Sequence, residues 1–220
     1  MLKTLAPDVL VQDFPFSMLG IPLGGRSTLL RAKDGTAVLI SPGPADAAFD
    51  REVEMAGSLV LVAPNGFHHL HLEDARRRHP SAHTVAAGLA QKKVRTPVDE
   101  TLSPTSLPGG FLVLPIEGAP AVDESWIFHE ASGTLVITDF AFHLRGEYNA
   151  FVRTFLRWNQ SLGTFGPTKH GLGQVKDRKA FRRSVDRALE LPISRIVVSH
   201  GDVVETEGRD VLRAGFARVP

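Results

Sequence analysis

Leu59-Val60-Leu61-Val62-Ala63-Pro64-Asn65-Gly66-Phe67-His68-His69-Leu70-His71-Leu72-Glu73-Asp74 is the stretch that decides how this chain reads. Its first five residues form an unbroken apolar run, the pattern of a strand covered on both faces. Pro64-Asn65-Gly66 then stops the strand with turn chemistry. His68 to Asp74 places three imidazoles and two carboxylates within seven residues. A buried strand whose end carries polar groups is how open α/β layers build their sites.

Outward from this stretch, Val9-Leu10-Val11 reads as a strand, followed by a loop through Gly20, Pro22, Gly24 and Gly25. Residues 27–32 and 37–40 form a hairpin, because Asp34-Gly35 supplies the positive φ of a tight turn. Spaced apolar positions predict helices over 45–55, 70–78, 147–159, 177–189 and 209–216. The second stops before Pro80, and Asp177 caps the fourth. Further strands are predicted over 84–87, 111–114, 124–130, 134–138 and 195–199. Residues 97–110, with three prolines, read as a long loop. Gly171-Leu172-Gly173 starts like a dinucleotide loop but lacks a third glycine and follows no strand, so it reads as a flexible loop. Strands dominate early and alternate with helices later. The expectation is one α/β domain over residues 1–220, with sheets carrying helices on their outer faces.

Composition narrows the chemistry. Lys and Arg number 25 against 24 Asp and Glu, a net charge of +1, which offers no electrostatic footprint for nucleic acid. The arginines at 76–78 and 182–183 read as solvated helix faces. Cysteine is absent, which excludes disulfides, thiolate zinc sites, iron–sulfur clusters and cysteine nucleophiles. Nine histidines remain, so a metal here must be held by imidazole and carboxylate. There is no nucleophile elbow and no Walker loop. No apolar segment follows Lys3, and no run nears the ~18 residues of a membrane span. A cytoplasmic protein acting on a small molecule, without a membrane partner, is expected.

Two more apolar strands end in a metal-type ligand. Asp139 follows Leu135-Val136-Ile137-Thr138, and His200 follows Ile196-Val197-Val198-Ser199 and precedes Gly201. With Ser41-Pro42-Gly43 after the hairpin and the His68–Asp74 cluster, this order of features resembles the metallo-β-lactamase fold superfamily. The resemblance spans nearly the whole chain and points to a divergent branch of unassigned function. It implies a four-layer αββα sandwich. It also implies a His-x-His-x-Asp-His loop, a later His, a metal-bridging Asp at Asp139 and a last His at His200.

The cluster fits that loop in two registers. By residue pattern, His69, His71, Glu73 and Asp74 mimic it. By spacing, Pro64 and Gly66 stand where the leading histidines would be, and His68-His69 stand at the Asp-His positions. The spacing register is favoured, because it leaves room for a helix before Pro80. No His lies between His83 and His129, so the family's later ligand is absent under either register. The resemblance therefore implies a reduced, mononuclear site on His68, His69, Asp139 and His200. Asp139 and His69 are the expected catalytic pair, and His71, Glu73 and Asp74 are secondary metal candidates. The cofactor would be one divalent transition metal, Zn²⁺ or Fe²⁺, or none. Two functions stay open: a metal-dependent hydrolase, or a non-catalytic relative that binds a small molecule or partner without metal. Substrate choice is expected in the loops 14–26 and 97–110. Glu124 shares a strand face with Trp126 and Phe128, which suggests a paired buried acid.

Overall fold

The apolar runs become two sheets set face to face. The structure is a computed structural model, and it describes residues 1–219. In chain order the first elements are β1 (Leu2–Ala6), β2 (Val9–Phe14), β3 (Ser17–Met18), β4 (Ile21–Pro22), β5 (Gly25–Arg31) and β6 (Thr36–Ile40). They are followed by α1 (Ala47–Glu54), β7 (Ser58–Ala63), α2 (Leu72–Arg78), β8 (His83–Ala86), α3 (Gly88–Gln91) and β9 (Glu100–Thr101). The second half holds β10 (Phe111–Pro115), β11 (Ser125–His129), β12 (Thr134–Ile137), α4 (Ala150–Trp158), α5 (Lys169–Gly173), α6 (Arg178–Leu189), β13 (Arg195–Val198) and α7 (Gly208–Gly215).

One sheet runs β1-β2-β5-β6-β7-β8-β9 and the other β10-β11-β12-β13, with β3-β4 a small separate ladder. Strand alternation sorts the side chains into layers. Val60 and Val62 of β7 meet Ile127, Val136 and Val197 between the sheets. Leu61 and Ala63 point the other way, onto Phe49 and Val53 of α1 and Leu72 and Ala75 of α2. On the far side, Trp126, Phe128, Leu135 and Ile196 pack against Phe181 and Val185 of α6 and Leu212 of α7. The order is helix, sheet, sheet, helix, the expected four layers. Strands covered on both faces explain the unbroken apolar runs.

The parallel strands β6, β7 and β8 in one sheet, and β12 and β13 in the other, set the position of the site. Chain leaving the carboxyl ends of β7, β12 and β13 carries the candidate residues.

Several elements differ from expectation. β1 and the β3-β4 ladder are largely exposed and gave no apolar signal; β1 is held by its antiparallel register with β2. Residues 169–173 are a short helix rather than a flexible loop, because the Thr168 hydroxyl caps it by accepting the Gly171 N–H at 2.9 Å. Helix α4 begins later than predicted, with Asn149 accepting the Val152 N–H. It buries Val152 and Leu156 and leaves Phe151, Phe155 and Trp158 outward. No helix among the described residues is long and apolar enough to cross a membrane.

Candidate metal centre

Three of the predicted residues meet. His68, Asp139 and His200 each offer one ligand atom, and these atoms lie within 4.8 Å of one another. His68 Nε2 is 3.4 Å from Asp139 Oδ2, and His200 Nε2 is 3.6 Å from Asp139 Oδ1. Two donors about 2.0–2.1 Å from a tetrahedral ion stand about 3.3 Å apart, so these spacings fit a shared metal. The donor set, two imidazoles and a carboxylate, also suits a borderline divalent cation.

The far side of each ring is tied down. His200 Nδ1 donates to the Gly24 carbonyl at 2.6 Å, and a carbonyl can only accept, so the proton sits on Nδ1. In the neutral ring this leaves the Nε2 lone pair facing Asp139. Phe142 stacks on the same ring at 4.8 Å. His68 Nδ1 is bonded to the hydroxyl of Ser41, a residue held at φ 56°. Ser41 begins the Ser-Pro-Gly segment already noted, so that segment orients the His68 ring.

Arg26 locks the β13 end. Its side chain donates to Asp13 at 2.6 Å and to the carbonyls of Val198 and Gly201 at 2.8 and 2.7 Å. Gly201 has φ 100°, and a Cβ there would stand 2.2 Å from the His143 carbonyl, so only glycine lets the chain turn directly after His200.

Sequence reasoning missed Asn65, which it took as a turn residue. Asn65 is fully buried. Its amide nitrogen donates to Asp139 Oδ2 at 2.7 Å and Thr138 Oγ1 at 2.9 Å, with Glu124 Oε2 at 3.3 Å. Its oxygen accepts the N–H groups of Phe67 and His68 at 2.7 and 2.9 Å. One side chain therefore fixes both the His68 loop and the Asp139 carboxylate. Glu124 is the buried acid its strand face suggested. Its two oxygens accept the N–H groups of Thr138 and Asp139 at 3.0 and 2.9 Å.

The charges are coupled. Burial disfavours ionised Asp139, but the imidazoles of His68 and His200, when charged, outweigh it and hold the carboxyl well below its ordinary range. Burial pulls His68 down, yet Asp139 and Glu124 outweigh that and raise it. Burial, then the Asp139 charge, push Glu124 up to about 7.

Comparison with solved structures fixes the architecture. The metallo-beta-lactamase from Pontibacter korlensis aligns over 99% of this chain and 99% of its own, at TM-score 0.68 and 15% identity. The DIM-1 metallo-beta-lactamase aligns over 100% of this chain and 97% of its own, at TM-score 0.67 and 13% identity. This chain has the metallo-β-lactamase fold. The FIM-1 enzyme from Pseudomonas aeruginosa, solved in a mono-zinc form, aligns over 97% of this chain and 91% of its own, at TM-score 0.65 and 11% identity. No family model matches the sequence, and no curated protein does.

On this metallo-β-lactamase fold, four other sequence candidates stand outside the three-donor cluster. His69, expected as a ligand and catalytic partner, has its Nδ1 buried without a bond, and burial and Lys93 lower its pKa. The backbone turn at 67–69, pinned by Asn65, sends one of the adjacent histidines to the centre. His71 stands edge-on to Phe14 at 5.7 Å. Glu73 accepts the Arg95 N–H at 2.6 Å, and Asp74 pairs with Arg77, because both lie in the first turn of α2 and follow its outer surface. Pro64 and Gly66 bring no donor atoms, and a Cβ on Gly66 would lie 2.9 Å from Leu89 Cβ.

A cavity of about 700 Å³ opens onto the three donors. Residues 14–26 line it as expected, but 97–110 do not; the opposite wall comes from α4 and α5.

Proposed function

We propose that this protein is a metal-dependent hydrolase of metallo-β-lactamase type, with a single-metal site on His68, Asp139 and His200. The observation that carries the reading is the spacing of those three donors at three strand ends, each with its far side tied down. Zn²⁺ or Fe²⁺ fits the donor set. The ion, when bound, supplies Lewis acidity, acidifying water and polarising a carbonyl or phosphoryl oxygen. Three protein donors with an open position are the usual catalytic arrangement.

The chain's own groups do the rest. Asp139 stays ionised and can accept a hydrogen bond from a water, aiming it at the substrate. Asn65 and Glu124 hold that carboxylate by its side chain and its backbone N–H, so it does not reorganise during reaction. The cavity walls are mainly apolar, which lowers the local dielectric and strengthens electrostatics at the floor. The substrates are small esters, lactones, amides or phosphodiesters.

The test is metal analysis of protein purified without chelator, beside His200→Ala. About one transition metal per chain is expected, lost in the variant along with chelator-sensitive hydrolysis. Failure to bind metal near stoichiometry, even after reconstitution, would sink the proposal. One observation favours the non-catalytic alternative: both Nδ1 atoms and the Asp139 carboxylate find protein partners, so the trio closes as an ion pair without metal. Chelator-insensitive ligand binding with no hydrolysis would select it.

A further inference from the structure

Ten large apolar side chains are left exposed among the described residues. Six of them, Met18, Leu19, Phe67, Leu70, Phe155 and Trp158, line the cavity above His68, Asp139 and His200. Exposed apolar residues scattered singly need no explanation, but this convergence on one mouth does. Met18 and Leu19 sit at the tip of the β3-β4 hairpin, and Leu19 is 96% exposed. Phe155 and Trp158 join them on the same lining from α4, one helical turn apart.

The exposed wall of this cavity is mostly apolar; His71, His170 and Gln174 also line it, and its Arg and Lys are both engaged. The Arg26 guanidinium is taken by Asp13 and two carbonyls. Lys169 lies over the Trp158 ring, with Nζ 5.1 Å from its centre. A ligand bearing several polar groups along its body would leave them unpaired against these walls, at a cost for each. A run of methylenes leaves none unpaired and gains from every apolar contact.

We propose that the substrate is an ester of an aliphatic acyl chain, with the chain held between the β3-β4 hairpin and α4 and the ester carbonyl at the three donors. This rests on the hydrolase reading and deepens it. Water adds its oxygen to the acyl carbon and the carbon–oxygen bond to the alcohol breaks. The departing oxygen takes up a proton, giving a carboxylic acid and an alcohol.

The experiment uses metal-loaded protein and 4-nitrophenyl esters with acyl chains of graded length. Burying a methylene is worth ~0.8 kcal/mol, so kcat/KM should rise by about fourfold per added carbon until the cavity is filled. In Phe155→Ala/Trp158→Ala the ratio of long-chain to short-chain kcat/KM should fall at least tenfold. Both residues are on the protein surface, so the fold survives their loss. A second readout needs no catalysis. Trp126 is fully buried and Trp158 is 62% exposed, so dodecanoate added to chelator-treated protein should blue-shift the emission of Trp158. Trp158→Phe should abolish that shift. A flat chain-length profile together with an unmoved emission would overturn the proposal, while leaving the hydrolase reading intact. Dodecanoate binding with no ester hydrolysed at any length would overturn the ester assignment, while the hydrolase reading stands or falls on its own metal test.

Discussion

Asn65→Ala is the sharpest perturbation the structure offers, because the side chain touches neither solvent nor substrate. The substitution orphans the N–H groups of Phe67 and His68, each worth about 1 kcal/mol when left buried and unpaired. It also removes the amide donor to the Asp139 carboxylate, a charge-assisted bond worth about 2 kcal/mol. The expected loss is about 4 kcal/mol, large for one polar residue in a turn. Equilibrium urea unfolding should read this as a midpoint lower by about 1.5 M, for a slope of about 2.5 kcal/mol per molar. Thr138→Val deletes one neighbouring bond and serves as the comparison, with about 1 kcal/mol expected. If Asn65→Ala cost no more than Thr138→Val, the claim that this amide organises the site would be refuted.

Two further perturbations follow from the same network. Arg26→Lys keeps the charge, but one ammonium cannot reach Asp13 and two carbonyls together, so Tm should drop by about 7 °C; a change under about 2 °C would show that the clamp contributes nothing. Chelator-treated protein should lose stability as pH rises from 5 to 7. Glu124, raised from 4.5 to about 7, destabilises the fold increasingly across that window. His68, raised above 6.5, contributes stability at low pH that is lost as pH climbs through its folded value. Asp139, held low, stays ionised throughout. Urea midpoints at several pH values check this, with Glu124→Gln flattening the slope; a midpoint that rose with pH would contradict it.

The layers were legible because strands covered on both sides must be apolar along their middles, and 59–63, 135–137 and 196–198 are. Asp139 and His200 were legible for the same reason, since a polar residue ending such a strand has few other roles. The cluster at 68–74 was harder. Counting donors suggested five ligands there, but a turn and a helix aim consecutive side chains in different directions, and only His68 joins the centre. Asn65 was hidden because its residue type suits a turn equally well, and only burial separates the two roles. The wall built by α4 was missed because an amphipathic pattern does not say which stripe faces inward. There the smaller Val152 and Leu156 pack, and the aromatics face the cavity mouth.

Arg26 leaves β5 in one sheet and ends on carbonyls at the end of β13 in the other and just past it, 172 and 175 residues further along the chain. A contact of that span closes a long loop, at an entropic cost that grows with the loop's length. A chain organised as far as β12 already carries His68 and Asp139 but has neither His200 nor the carbonyls that Arg26 needs. The donor set and the joint between the sheets therefore depend on the same four residues, 198–201. Any ion captured by the finished set lends its binding free energy to that joint. For metal-loaded protein a chelator would behave as a mild denaturant, prising at the seam where the two halves of the sandwich meet.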